Sequence, residues 1–208
     1  KKNLIDHIHN LIVDKIRNCL WILAGDFGTG ASIFQARDDF KTVNKVVGGL
    51  QKFRSCVAFP IDEGLLYATD SQFEQNSINI LYQKNNKWLY KKVKNINGPS
   101  IFGTSINDKY FFSSSVEAIN SGNLFRKLIR NKKGPGILKN QSEIICGNFN
   151  SGFETIYVNE KDPLPFILFQ FGNILFPNGT NKTDQLIFTP IALKINDFDT
   201  RIMDLKNV

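Results

Sequence analysis

The stretch that decides the fold begins with Ser55-Cys56-Val57-Ala58-Phe59, turns at Asp62-Glu63-Gly64 and continues as Leu65-Leu66-Tyr67-Ala68-Thr69-Asp70-Ser71. Two short apolar segments separated by a polar turn predict an antiparallel β-hairpin. Two further strand-like segments follow, at 78–82 and 87–93. The region therefore predicts four consecutive antiparallel strands.

The same plan occurs four times along the chain. Each copy has an apolar strand, a turn, and a second strand that ends in small or acidic residues; the acids Asp26, Asp70 and Glu117 are spaced by 44 and 47 residues. Four strands in every forty to fifty residues are typical of β-propeller blades. We therefore predict an all-β chain, an incomplete β-propeller of four-stranded antiparallel blades. Its blade-like units are expected at about 9–47, 53–93, 98–158 and 168–205.

Composition excludes several classes of protein. The 208 residues are 42% hydrophobic and 22% charged, a globular balance, and contain no apolar run long enough for a membrane helix. The net charge of +7 is spread along the chain, which argues against a nucleic-acid-binding surface. Only 123–130 has a helical pattern, and Gly134-Pro135-Gly136 follows it closely. Eighteen phenylalanines favour packing between sheets.

The three cysteines, Cys19, Cys56 and Cys146, lie in strand-like segments without a Cys-x-x-Cys pair. An odd number in such positions favours reduced, buried thiols over a disulfide framework or a metal site, and it favours the cytoplasm as compartment. His7 and His9 alternate on one strand and should point the same way. Because neither belongs to a cysteine or histidine motif, no metal and no cofactor are predicted.

A family resemblance comes from a degenerate Asp-box and from the order of short motifs. The segment 36–43 keeps the Asp-box carboxylate as Asp38 but has Ala36, Phe40 and Val43 at the other positions of Ser-x-Asp-x-Gly-x-x-Trp. The remaining motifs, in chain order, are His7-Ile8-His9, Gly25-Asp26, Gln51-Lys52-Phe53-Arg54, Thr69-Asp70-Ser71, Ser115-Val116-Glu117 and Phe169-Gln170-Phe171-Gly172. This series resembles the C-terminal two-thirds of bacterial six-bladed, sialidase-like BNR-repeat propellers, mostly of unassigned activity. Because an open propeller exposes strand edges and half of an apolar inter-blade surface, we expect blades before Lys1, or a second chain, to close the ring.

Blade topology predicts a site on one face. In such a blade, the ends of second strands and the entrances of first strands lie on the same side. That side carries the catalytic candidates Asp26, Asp70 and Glu117, and the ligand-binding candidates His9, Arg54 and Gln170. Each has a structural alternative: the aspartates are also good turn formers, and Arg54 could neutralise them instead of holding a ligand carboxylate.

Two classes of function remain. The first is a glycoside hydrolase-like enzyme in which these acids act as acid, base or nucleophile. Sialidase activity is not expected, because only Arg54 occupies a suitable arginine position and no tyrosine is placed as nucleophile. The second is a non-catalytic platform that binds a glycan, another hydroxyl-rich ligand or a protein.

Overall fold

The computed structural model describes residues 5–25, 27–118, 133–166, 171–178 and 183–206. These described residues are 55% strand and 3% helix, and the strands form four antiparallel sheets. The predicted all-β class is therefore confirmed. None of the four sheets closes on itself within these ranges, and no helix in them is long and apolar enough to cross a membrane. The predicted helix at 123–130 lies outside the described residues.

The chain divides into two compact units, residues 1–71 with 76–95, and residues 72–75 with 96–208. In the first unit, two four-stranded sheets have their strands in chain order. Sheet 1 contains β1 (Ile8–Asp14), β2 (Cys19–Ala24), β3 (Ser32–Arg37) and β4 (Thr42–Gly48), and sheet 2 contains β5 (Val57–Ile61), β6 (Gly64–Ala68), β7 (Ser77–Lys84) and β8 (Lys87–Asn95). Single 3-10 turns at Gly28–Gly30 and Gln51–Phe53 lie beside the strands.

The turns of the first unit follow from residues that tolerate left-handed backbone. Asn18 ends the β1–β2 turn with φ of 47°, and Asn85 and Asn86 join β7 to β8 with φ of 51° and 60°. Two consecutive left-handed residues match the twist of paired strands, which is why Asn-rich two-residue turns make hairpins. The Asp-box-like turn is also left-handed, from Asp38 to Phe40, and Lys41 N–H donates to the Asp38 carbonyl at 3.0 Å.

The core of the first unit lies between its two sheets. Side chains from β2, β3, β6 and β7 pack together there, with Trp21 and Trp88 in an edge-to-face contact at 5.4 Å between ring centroids. The buried members of this core are Trp21, Leu23, Ile33, Phe53, Ala58, Leu65, Tyr67 and Leu81. Strand β1 is joined to the residue just before β5 by Asn10 Nδ2, which donates to the Cys56 carbonyl at 2.9 Å. This junction determines where the side chains at the strand ends meet.

The second unit contains a four-stranded and a three-stranded sheet. Its strands are β9 (Gly103–Ile106), β10 (Lys109–Ser113), β11 (Gln141–Asn148), β12 (Gly152–Glu160), β13 (Asn173–Leu175), β14 (Gln185–Ile191) and β15 (Arg201–Asp204). Phe111, Ile144, Leu186 and Phe188 form the centre of its core. Ser113 Oγ donates to the Ile174 carbonyl at 2.8 Å and so connects the two sheets.

The third strand of the four-stranded sheet in the second unit was not predicted from the sequence. From the sequence alone, the segment between Asn120 and Gly152 matches the repeat poorly and predicts an insertion before a strand at 155–158. The structure places β11 within that segment, paired to β10 and to β12. The sequence pattern does not reveal β11 because Ile144, Ile145 and Cys146 are consecutive and all buried, so the strand lacks an alternation of apolar and polar residues.

Candidate functional site

A polar cluster lies at the strand ends of the first unit, where β1 meets the segment before β5. His9 is the extra residue of a β-bulge, because Ile8 pairs with Ala24 and Asn10 pairs with the adjacent Leu23. Bulges leave one residue outside the ladder and redirect its side chain, often beside functional sites. The His9 ring is thereby turned towards the segment before β5, where its Nδ1 lies 3.1 Å from the Ser55 carbonyl oxygen.

Arg54 and Asp70 form a nearly buried ion pair in this cluster. Arg54 Nη1 lies 2.5 Å from Asp70 Oδ2 and also donates to the Asp70 carbonyl, while Arg54 Nε donates to the Gly25 carbonyl at 2.8 Å. The two side chains are 12% and 5% exposed. Of the two roles predicted for Arg54, neutralisation of an aspartate is present. The Asp70 carboxylate is therefore not placed as an accessible acid or base.

Cys56 completes the cluster. Its thiol donates to Asp70 Oδ2 at 3.1 Å, and its Sγ lies 3.1 Å from His9 Nδ1. His9 Nδ1 and Asp70 Oδ2 are 3.7 Å apart. The sequence predicts a reduced, buried thiol at Cys56; the structure makes it a half-buried member of this polar cluster. The available signal was its position two residues after Arg54, in the predicted entrance to a first strand.

The histidine pair lies over a glycine that leaves room for it. His7 Nε2 and His9 Nε2 are 3.1 Å apart, with ring centroids at 4.9 Å, as the alternation of the two residues predicted. A Cβ on Gly25 would lie 2.1 Å from His9 Cδ2. Burial lowers the pKa of His9, and the raising effects of the Asp70 carboxylate and the Ser55 carbonyl only partly offset it. His9 is therefore mainly neutral at neutral pH.

Beside the cluster, two features are suited to a polar ligand with an apolar face. The Arg54 guanidinium lies 4.7 Å from the ring centroid of Phe27, which is 52% exposed. Gln51 is only 9% exposed, yet neither its amide nitrogen nor its amide oxygen has a hydrogen-bond partner among the described residues. Arg54 N–H donates to the Gln51 carbonyl at 2.9 Å, so the two residues share one tight turn. An orphaned buried amide is costly and indicates a missing partner.

The remaining candidates divide between the second unit and the undescribed positions. Glu117 belongs to the second unit, where Ser115 Oγ donates to its Oε1 at 3.1 Å and its carbonyl accepts from Gly134 N–H at 2.9 Å. Asp26 and Gln170 lie outside the described residues. Of the six predicted site residues, the structure thus brings together His9, Arg54 and Asp70, and it adds Cys56.

No protein-family model, curated protein or solved structure matches this chain. The resemblance to sialidase-like propellers therefore stays a prediction.

Proposed function

We propose that the four sheets are blades of a sialidase-like β-propeller and that the strand-end face of the first unit binds carbohydrate. The observation that carries the proposal is the unpartnered side-chain amide of Gln51, a residue whose backbone carbonyl accepts from Arg54 N–H. A side-chain amide offers both a donor and an acceptor, which is what a sugar hydroxyl requires. The exposed Phe27 ring provides an apolar surface next to the guanidinium, as carbohydrate sites commonly need.

Binding is favoured over hydrolysis at this face. A glycosidase acid or nucleophile must reach the scissile bond. The Asp70 carboxylate already contacts Arg54 and Cys56, so it is not available as an acid or a nucleophile. A hydrolytic role would have to come from Asp26 or from Glu117. The proposal is therefore a glycan-binding platform, and release of reducing sugar from a glycan panel is the result that would assign an enzyme instead.

The test uses Gln51→Leu on the full chain. Leucine has a similar size and removes both unpartnered polar atoms, so the variant should be at least as stable as the wild type. Retention on immobilised glycans should nevertheless fall about tenfold or more, since each lost hydrogen bond of about 1 kcal/mol or more weakens binding several-fold. Gln83→Leu, an exposed glutamine on β7, is the matched control and should bind as the wild type does.

Two results would contradict the proposal. One is a wild-type chain that retains no member of a broad glycan panel. The other is a Gln51→Leu variant that is destabilised while its glycan retention is unchanged, because the amide would then serve the fold and not a ligand.

A further inference from the structure

Three side chains with different ligand atoms converge in the first unit. Cys56 Sγ, His9 Nδ1 and Asp70 Oδ2 all lie within 4.8 Å of one another. A thiolate, a neutral imidazole and a carboxylate are each ligands of zinc and of similar divalent transition metals. We infer that these three residues form a binding site for a divalent transition-metal ion, with Zn²⁺ as the best match.

The spacing of the three atoms fits a tetrahedral ion. Zinc bonds of about 2.3 Å to sulfur and 2.0–2.1 Å to nitrogen or oxygen place neighbouring ligand atoms about 3.3–3.6 Å apart. The observed separations are 3.1 Å for Sγ to Nδ1, 3.1 Å for Sγ to Oδ2 and 3.7 Å for Nδ1 to Oδ2. Shifts of about half an ångström in the side chains of Cys56, His9 and Asp70 therefore suffice to admit the ion.

The groups around the triangle orient its members in the way that metal ligands require. A metal-bound histidine usually donates its other ring N–H to a neighbour. His9 Nε2 has such a neighbour in His7 Nε2 at 3.1 Å. Metal binding requires the ring proton on Nε2, so Nδ1, which lies 3.1 Å from both the Ser55 carbonyl oxygen and Cys56 Sγ, gives up its contact with that carbonyl and offers its lone pair to the ion. Arg54 Nη1 pairs with the same oxygen, Asp70 Oδ2, and fixes its position. The bulge at His9 fixes the position of its ring relative to the segment before β5.

Charge and donor type favour a divalent ion over other ligands. When the ion binds, the Cys56 thiol loses its proton to solvent and its sulfur bonds to the metal. Thiolate and carboxylate then supply two negative charges, and Arg54 offsets one of them. The sulfur and nitrogen donors disfavour Mg²⁺ and Ca²⁺, which prefer oxygen ligands throughout. Three protein ligands leave the fourth tetrahedral position to solvent.

Titration of the full, chelator-treated chain with Co²⁺, a spectroscopic substitute for Zn²⁺, tests the inference. We expect one Co²⁺ per chain, a thiolate-to-cobalt charge-transfer band and displacement by Zn²⁺ but not by Mg²⁺. Cys56→Ser should abolish the band and weaken Zn²⁺ binding about 100-fold or more, as loss of a directly bound ligand exceeds the loss of an outer-shell partner. Cys19→Ser is the matched control, since Cys19 is another half-buried thiol of the same unit and contacts Gln35 instead.

A second variant tests the inference if Cys56→Ser fails to fold. His9→Gln changes a residue outside the strand ladder, so the fold should persist, and it should weaken Zn²⁺ binding by a similar factor while Cys56 is intact. Absence of stoichiometric Co²⁺ and Zn²⁺ binding would overturn the inference, as would a charge-transfer band that survives in Cys56→Ser or disappears in Cys19→Ser. Gln51→Leu should leave metal binding unchanged, which separates this site from the proposed carbohydrate site.

Discussion

Removal of the Asp14 carboxylate should destabilise the first unit more than most single changes in it. Asp14 is 1% exposed at the end of β1. Its Oδ2 accepts from Trp21 Nε1 at 2.8 Å and from Arg17 Nη1 at 3.0 Å, and its Oδ1 accepts from Arg17 N–H at 3.0 Å. Arg17 Nη2 in turn donates to the carbonyls of Ile61 and Asp62 at 2.7 and 2.9 Å. One carboxylate thus connects the β1–β2 turn, a core tryptophan and the β5–β6 turn.

The magnitude follows from what Asp14→Ala leaves behind. Breaking a buried ion pair by deleting one partner costs about 3–5 kcal/mol. Arg17 remains 19% exposed and keeps its two carbonyl partners, which lowers the cost of breaking the ion pair. The buried Trp21 N–H, however, loses its acceptor, which adds about 1–3 kcal/mol to the loss of stability. We expect a net loss of about 3–4 kcal/mol for Asp14→Ala. Asp14→Asn keeps an acceptor and should lose about 1–2 kcal/mol.

Urea unfolding followed by tryptophan fluorescence measures this loss. Both tryptophans of the chain, Trp21 and Trp88, belong to the first unit, so the signal reports that unit alone. With a slope of about 2 kcal/mol per molar urea, the midpoint for Asp14→Ala should fall by about 1.5–2 M. Glu63→Ala, an exposed acid in the β5–β6 turn, is the control and should stay within about 0.5 kcal/mol of the wild type.

The pH dependence gives a second measure of the same contacts. Burial alone would raise the pKa of Asp14, but the hydrogen bonds from Trp21 and Arg17 outweigh it, and the net pKa is lowered. A lowered folded-state pKa contributes stability above the unfolded value, near 4, that is lost as the pH falls through the folded value. The difference between wild type and Asp14→Asn should therefore be constant from pH 7 to about 5 and shrink below about 4. A loss under about 1 kcal/mol for Asp14→Ala, or a pH-independent difference, would refute this reasoning.

Two substitutions and one labelling experiment test other parts of the structure. Gly25→Ala should cost about 1–3 kcal/mol in urea unfolding, because its Cβ must displace the His9 ring; a stabilised variant would contradict the placement of that ring. Burial raises the pKa of Cys146 to about 11, so at pH 8 a disulfide reagent should label Cys146 only after unfolding, as peptide mass spectrometry would detect. Burial also raises the pKa of Tyr67 far above its usual value, so the stability that its neutral hydroxyl contributes is lost as the pH rises above about 10. Tyr67→Phe should therefore shift the alkaline unfolding midpoint to higher pH. An unshifted midpoint would count against the burial of Tyr67.

At Asp14 the sequence predicts the turn but not the side-chain contacts. The sequence predicts a turn from Asp14 to Asn18, and the structure has the β1–β2 turn there. That the Asp14 side chain accepts from Trp21 and Arg17 could not be predicted, because these bonds depend on the register of β1 against β2. A local pattern identifies a turn, but it does not specify which side chains meet across it.

The sequence by itself determined the all-β class, the four antiparallel sheets and the polar residues at the strand ends, since alternation, β-branched content and turn residues are local properties. Only the tertiary structure decided that Cys56 meets His9, 47 positions earlier in the chain, and Asp70, 14 positions later. It also decided that β11 is a strand, because its consecutive buried residues Ile144, Ile145 and Cys146 leave no alternating pattern. The same physical reason applies to the Cys56 contacts and to β11. The chemistry of a side chain depends on which groups the bulges, turns and pairing register bring to it, and those are set by the packing of distant segments.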